Sequence, residues 1–162
     1  MAIYRDTISQ LIDEIHQFQP DWIITKSATP DVRPPLPFFY YNIRRDYERL
    51  TFNDVESEPF SFPLQLTAVA EDPIEASDLA HDMRMLLQSW GLLEDLAKVG
   101  ISIPRVESLA NVETNFGMSY ETESKLLVTI VANDTYDDTT QSGYIEGVDL
   151  STQANIKEEH NE

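Results

Sequence analysis

The chain reads as an α+β fold: an antiparallel β-sheet of about four strands with helices packed on one face. Three observations predict this. From Phe60, the even positions Phe60, Phe62, Leu64, Leu66, Ala68 and Ala70 are apolar, while Ser61, Pro63, Gln65, Thr67, Val69 and Glu71 fall between them, the period-two alternation of a strand with one buried and one wet face. Leu79, Met83, Leu86, Leu87 and Trp90 then recur at helical steps, an apolar stripe opposed by Glu75, Asp78, Asp82 and Gln88. A second alternating run, Tyr120, Thr122, Ser124, Leu126, Val128, Ile130 and Ala132, supplies a partner strand.

Taken in order, residues from about Tyr4 to Phe18 read as a helix whose stripe is Ile8, Leu11, Ile12, Ile15 and Phe18. Pro20 ends it, because proline lacks the N–H that would continue the ladder. Trp22, Ile23 and Ile24 fit a short strand or an anchored loop equally well. Pro30, Pro34, Pro35 and Pro37 mark an extended approach to Phe38–Ile43, a strand apolar on both faces and therefore central or covered by another chain. Residues 44–59 form a connection about three times the usual length. Asp72 and Pro73 are an N-cap and a first-turn proline, with Glu75 placed to complete a capping box, and Gly91 is the expected stop of that helix. A short helix over Leu92–Val99 follows, closed by Gly100. Ile101 to about Phe116 and Met118 to about Asn133 read as two strands joined near Asn115–Gly117, with Pro104 forcing an edge or a bend. One domain over residues 1–150 and an acidic tail over 151–162 are expected, the tail having the composition of a segment that cannot bury a core.

The charge is the outstanding bulk feature: 29 acidic against 11 basic residues, a formal net charge of −18. Such a chain repels nucleic acid and anionic membranes and suits basic partners. There is no cysteine, which excludes disulfides and thiolate metal sites. No signal peptide is expected, since no apolar run opens at Met1–Asp6, and no stretch approaches the roughly 20 apolar residues of a membrane helix.

No catalytic motif appears: there is no Gly-x-Ser-x-Gly elbow and no phosphate-cradling glycine loop, so neither an enzyme nor a cofactor is expected. Asp78, His81 and Asp82 share one face of the second helix at spacings that can ligate a metal, but no further His or Cys supports them, and a solvated acidic face is the expected state. His16 and His160 have no evident partners, and the Asn133–Thr135 sequon is read as chance. Phe38, Tyr4, Tyr40 and Tyr41 could stack on bases, but no basic groove surrounds them, and packing is the better reading. The arginines are the strongest functional candidates. Arg33, Arg44, Arg45 and Arg49 are four of the eleven basic residues, whereas acids such as Asp78 and Asp82 crowd the second helix. One copy's basic loop could meet another copy's acidic face, or the loop could fold back on acids of its own domain, and both readings stand open.

Ser61–Thr67, then Glu71–Ala76 leading into the helix, then Gly100–Ile101 followed after a strand and turn by Leu126–Ile130, together resemble the tail terminator (tail completion, or neck terminator) proteins of long-tailed bacteriophages. The resemblance spans roughly residues 4 to 135 and stops short of the acidic tail. It implies a tail-terminator-like α+β domain, a structural virion protein assembled in the bacterial cytoplasm and located in the tail or neck. It further implies a homo-oligomer, a hexameric ring that ends the tail tube and joins it to the head connector. The tail tube protein and the connector proteins would be its partners. DNA would pass through the lumen without specific binding, there would be no membrane partner, and no catalytic residue or cofactor would be involved. Members of the family often carry a basic or polar residue near the start of the last strand; here Glu121, Glu123 and Lys125 occupy that region, so contacts there are not carried over. Arg44, Arg45, Arg49, Asp78 and Asp82 are the expected subunit-interface residues. The alternative is a small acidic inhibitor or DNA mimic that occupies a partner's basic groove, which would account for the charge equally well.

Overall fold

The structure is a computed structural model and describes residues 2–27, 33–51, 57–116 and 119–135. Helix α1 spans Ile3–Phe18, and Ile8, Leu11 and Ile15 are buried along its stripe. Strands β1 (Ile24–Lys26), β2 (Phe38–Ile43), β3 (Glu48–Arg49) and β4 (Pro59–Ala70) follow. Then come helices α2 (Pro73–Leu87) and α3 (Trp90–Lys98), and strands β5 (Ser102–Ser108), β6 (Val112–Phe116) and β7 (Ser119–Asn133).

The α+β class is as expected, but the sheet is larger than the expected four antiparallel strands. Among the described residues it holds seven strands in the order β1-β2-β4-β7-β5, with β3 beside β4 and β6 beside β7. It is mixed, because β1 runs parallel to β2, pairing Ile24 with Phe39 and Lys26 with Tyr41. The extra strands arise where single strands or loops were expected. Pro104 falls inside a register shift between Ser102 and Arg105 on the edge strand β5, and the run expected as one strand to Phe116 breaks at Leu109–Asn111 into β5 and β6. The long connection after β2 contributes β3, which pairs Glu48 with Ser61 and Arg49 with Phe60. The Gly117 end of the expected turn lies outside the described residues.

Strand β4 is the axis of the molecule. It pairs with β2 from Phe38↔Val69 to Ile43↔Leu64, and with β7 from Pro59↔Asn133 to Ala70↔Thr122. Its even face, Phe60, Phe62, Leu64, Leu66 and Ala68, joins Val128 and Ile130 of β7 in one core with Leu11, Ile15, Met83, Leu87, Leu92 and Leu96 of the helices. The odd face was expected to be wet. Instead Ser61, Gln65, Thr67 and Val69 are buried. A strand with neighbours on both sides is crowded by their side chains even without a helix above. The polar groups there are met locally, with Gln65 Nε2 donating to Thr67 Oγ1 at 3.1 Å.

Helix α2 starts as the sequence dictates. Asp72 is extended, its Oδ1 accepts from Ile74 N at 3.0 Å, and Pro73 occupies the first turn, where a missing N–H costs nothing. Asp72→Ala should lower stability by about 0.5–2 kcal/mol, read as a shift in the urea midpoint. No change would show that water replaces the cap at no cost.

The far end of α2 differs from the expected one. The helix closes at Leu87, with Gln88 as its C-cap, and Gly91 lies inside α3 rather than at a stop. Trp90 therefore leaves the α2 stripe and opens α3, exposed. Ala76 and Ala80 take the innermost positions with Met83 and Leu87, while Leu79 and Leu86 are only partly buried. Small residues let α2 sit close over β7 and β4. Gly100, at φ +77°, ends α3 in the left-handed conformation that side chains disfavour.

Candidate assembly surface

Residues 43–51 form a turn that projects from the end of β2. It is anchored to the sheet by Arg44 N, which donates to Pro63 O at 3.0 Å, and by the two residues of β3. Its main fastening is Glu58, a buried carboxylate at the start of β4. Arg49 grips it with both arms of its guanidinium, Nε to Oε1 at 2.7 Å and NH2 to Oε2 at 3.2 Å. Thr51 Oγ1 donates to Oε1, and Tyr47 OH reaches Oε2 at 3.4 Å. The Tyr47 ring stacks on Phe60 at 4.6 Å, and Asp134 N donates to Glu58 O at 2.8 Å, so β4, the turn and the end of β7 meet at this residue.

The hydrogen bonds from Thr51 and Arg49 hold the Glu58 carboxyl below its ordinary value of 4.5. A carboxylate whose pKa is lower folded than unfolded contributes stability that is present above the unfolded value and is lost as pH falls through the folded one. Glu58→Gln should therefore lower the urea midpoint at pH 7. The gap from the unaltered chain should start to narrow as the pH falls through the ordinary value of 4.5 and close only below the lowered folded value. A gap that persists at low pH would show that the fork contributes through shape rather than charge.

The expected arginine candidates separate into two kinds. Arg49 is committed to Glu58 in its own chain. Arg45 pairs with Glu48 at 2.6 Å, both groups near the surface. Arg33 pairs with the buried Glu121 and lies 5.8 Å from the centre of the Phe38 ring. Thus the fold-back reading accounts for Arg33, Arg45 and Arg49. Arg44 is exposed and makes no ion pair among the described residues. Around it stand apolar side chains that also face water: Ile43, Tyr47 and Leu50, the last at 50%.

Asp78 and Asp82 lie on the outer face of α2, exposed and without an ion pair among the described residues. Apolar side chains flank them as well, Ile74 at 69% exposure and Met85 at 55%. Asp78, His81 and Asp82 do not converge on a common point; among the described residues no group of three His, Asp or Glu could hold a metal ion. His81 instead lines a polar cleft of about 250 Å³ between α2 and the sheet, where Arg84 donates to Ser108 Oγ at 2.8 Å and to Val106 O at 3.1 Å.

The aromatic residues considered for base stacking are used for packing. Tyr4 meets Phe62 edge-on at 5.1 Å, Phe38 is buried, Tyr40 is half-buried in β2 opposite Thr67, and Tyr41 packs against the core. Among the described residues, no helix is long and apolar enough to cross a membrane.

The described surface thus carries two patches: the turn, where Arg44 stands beside the exposed Ile43, Tyr47 and Leu50, and the outer face of α2, where Asp78 and Asp82 stand between Ile74 and Met85. Sequence reasoning missed Glu58, whose role depends on three residues that only the turn brings together, and it missed the exposure of Trp90. No curated protein matches the chain. A family model described as "Phage neck terminator protein" matches residues 6–159, extending past the stretch that carried the resemblance and through most of the acidic tail. The chain belongs to the phage neck terminator protein family.

Proposed function

We propose that this chain forms a hexameric ring that terminates the tail tube and joins it to the head connector. Membership of the neck terminator family makes it a structural protein of the phage tail and neck, associated with other tail or head proteins. The observation that carries the ring is the pair of unlike patches, Arg44 with its apolar neighbours and Asp78 with Asp82 on α2. A closed ring is built from head-to-tail contacts, so each subunit needs two different complementary surfaces. Arg44, Arg45, Asp78 and Asp82 form the subunit contact in this reading, and Arg49 fixes the turn that presents the basic half.

The domain extends over residues 1–150 with an acidic tail over 151–162. Assembly takes place in the host cytoplasm, with the tail tube protein and the connector as partners. The net charge of −18 suits a lumen that lets DNA pass without holding its phosphates. The alternative drawn from charge alone, an acidic inhibitor or DNA mimic, has no counterpart in the family match.

Tails assembled in a host that lacks this chain should be overlong and fail to join heads, and adding the purified protein should restore joining. Negative-stain images should show a six-fold ring at the end of normal tails. Tails of normal length in its absence would remove the proposal.

A further inference from the structure

Most basic side chains among the described residues answer an acid of their own chain: Arg33, Arg45, Arg49, Lys98, Arg105 and Lys125 all do. Arg84 does not. It makes no ion pair among the described residues, in a chain with 29 acidic side chains. Nor is it spread over the surface. It lies half-buried in the cleft of about 250 Å³ between α2 and the sheet. Its bonds there go to neutral oxygens, Ser108 Oγ at 2.8 Å and Val106 O at 3.1 Å. They fix the plane of the guanidinium and leave most of its five N–H donors unused.

The rest of the lining is of one kind. Ser77 and His81 come from α2, Ser108 from β5, Asn111 from the link to β6, and Ser124 from β7. No Asp or Glu is among the lining residues. Lys125 borders the cleft, but its ammonium is paired with Glu123 at 3.2 Å, which leaves Arg84 as the permanent cation without a counter-charge. The walls are tied together. The buried Ser124 hydroxyl donates to Asn111 Oδ1 at 3.0 Å, and Asn111 Nδ2 reaches Ser77 Oγ at 3.5 Å, so one amide spans from β7 to α2.

A held guanidinium, ringed by hydroxyl and amide groups and with no acid in the lining, is the donor set of an anion site. Charge selects the anion. A chain of net charge −18 repels a dianion more strongly than a monoanion, and a single guanidinium balances a single charge. The planar fork of arginine matches the planar carboxylate. We propose that this cleft binds one carboxylate on Arg84, with Ser77, Ser108 and Asn111 as its polar surround. A free small carboxylic acid and an acidic side chain present the same group, and residues 151–162 of this chain include Glu158, Glu159 and Glu162. The site does not rest on the ring reading, since Asp78 and Asp82 are outside its lining.

Nuclear magnetic resonance on the isotope-labelled full chain tests it, with acetate titrated against chloride at constant ionic strength and circular dichroism confirming that each variant is folded. Acetate should shift the Arg84 Nε–H and the Ser108 and Asn111 amides saturably. Arg84→Gln should weaken its binding by roughly ten-fold or more, the size of one hydrogen bond to a charged group. Arg84→Lys, which keeps the charge without the fork, should restore part of the loss. Ser77→Asp, which leaves the bonds of Arg84 to Ser108 and Val106 in place, should also abolish binding by putting a fixed carboxylate in the lining. Inorganic phosphate should bind more weakly than acetate. Glu158→Gln, Glu159→Gln and Glu162→Gln together separate the two sources. If the chain's own acids supply the carboxylate, this triple change alone moves the Arg84 resonance and tightens acetate binding; if a free acid does, both stay as they were. The proposal is overturned if neither the unaltered chain nor the triple variant shows saturable shifts. Binding that survives Arg84→Gln or Ser77→Asp overturns it as well, and so does phosphate that binds more tightly than acetate.

Discussion

Phe62→Ala should destabilise the protein by about 3–5 kcal/mol, the largest loss expected from any single truncation in the sheet. Phe62 is fully buried at the centre of the even face of β4, opposite Ile130. Tyr4 meets it edge-on at 5.1 Å, and Phe60 lies 5.9 Å away. Removing the ring forfeits its transfer from water and leaves a void whose cost depends on how far the walls can close. They can close little. β4 is held by ladders on both sides, and α1, α2 and α3 share one continuous core above it. Leu66→Ala, two positions further into the same face, should cost about 2–5 kcal/mol for the same reason. Urea unfolding should show the midpoint falling with an unchanged slope. A loss below about 1 kcal/mol for Phe62 would mean that the helices settle onto the sheet when the ring is gone.

The even face of β4 and its match on β7 were legible because alternation is a local property that a core on one side imposes directly. The Asp72–Pro73 start of α2 was legible for a similar reason, since capping needs only neighbours in sequence. What the sequence did not reveal depends on partners distant in the chain. The buried odd face of β4 has small polar residues that look solvated until β2 and β7 close on it. The Glu58 fastening unites Tyr47, Arg49, Thr51 and Glu58, which no local pattern marks as a set. The end of α2 was misread because Trp90 continues the helical apolar spacing although the helix has turned at Gln88. The arginine cluster was visible as composition, but only the geometry separates Arg49, which is spent on Glu58, from Arg44, which is not.

That separation decides how the charged contact should be tested. Reversing Arg49 would place a second carboxylate against Glu58, so a variant carrying it would lose the turn itself and report nothing about assembly. Arg44→Glu with Arg45→Glu spares that fastening. Arg45 gives up an exposed pair with Glu48 that contributes about 0–1 kcal/mol, and Arg44 gives up no ion pair among the described residues, so the domain should remain folded at nearly its original stability. Assembly should respond differently. In the proposed contact the guanidinium groups meet Asp78 and Asp82 of the next copy, with Ile43, Leu50, Ile74 and Met85 excluding water around them. Arginine suits this position because its planar fork matches a carboxylate and is weakly hydrated. Losing a desolvated pair costs about 2–5 kcal/mol per contact, and a closed ring repeats the loss at every interface. The double reversal should thus sediment as a smaller species and leave tails overlong, while Asp78→Lys with Asp82→Lys in the same chain should restore rings by exchanging the signs across the contact. Recovery on recombination is the decisive result, because a variant damaged in folding would not be repaired by two further changes on another element. If the double reversal builds normal rings, or if the exchanged pair fails to recover them while each half stays folded, the turn and α2 do not face one another across the subunit boundary.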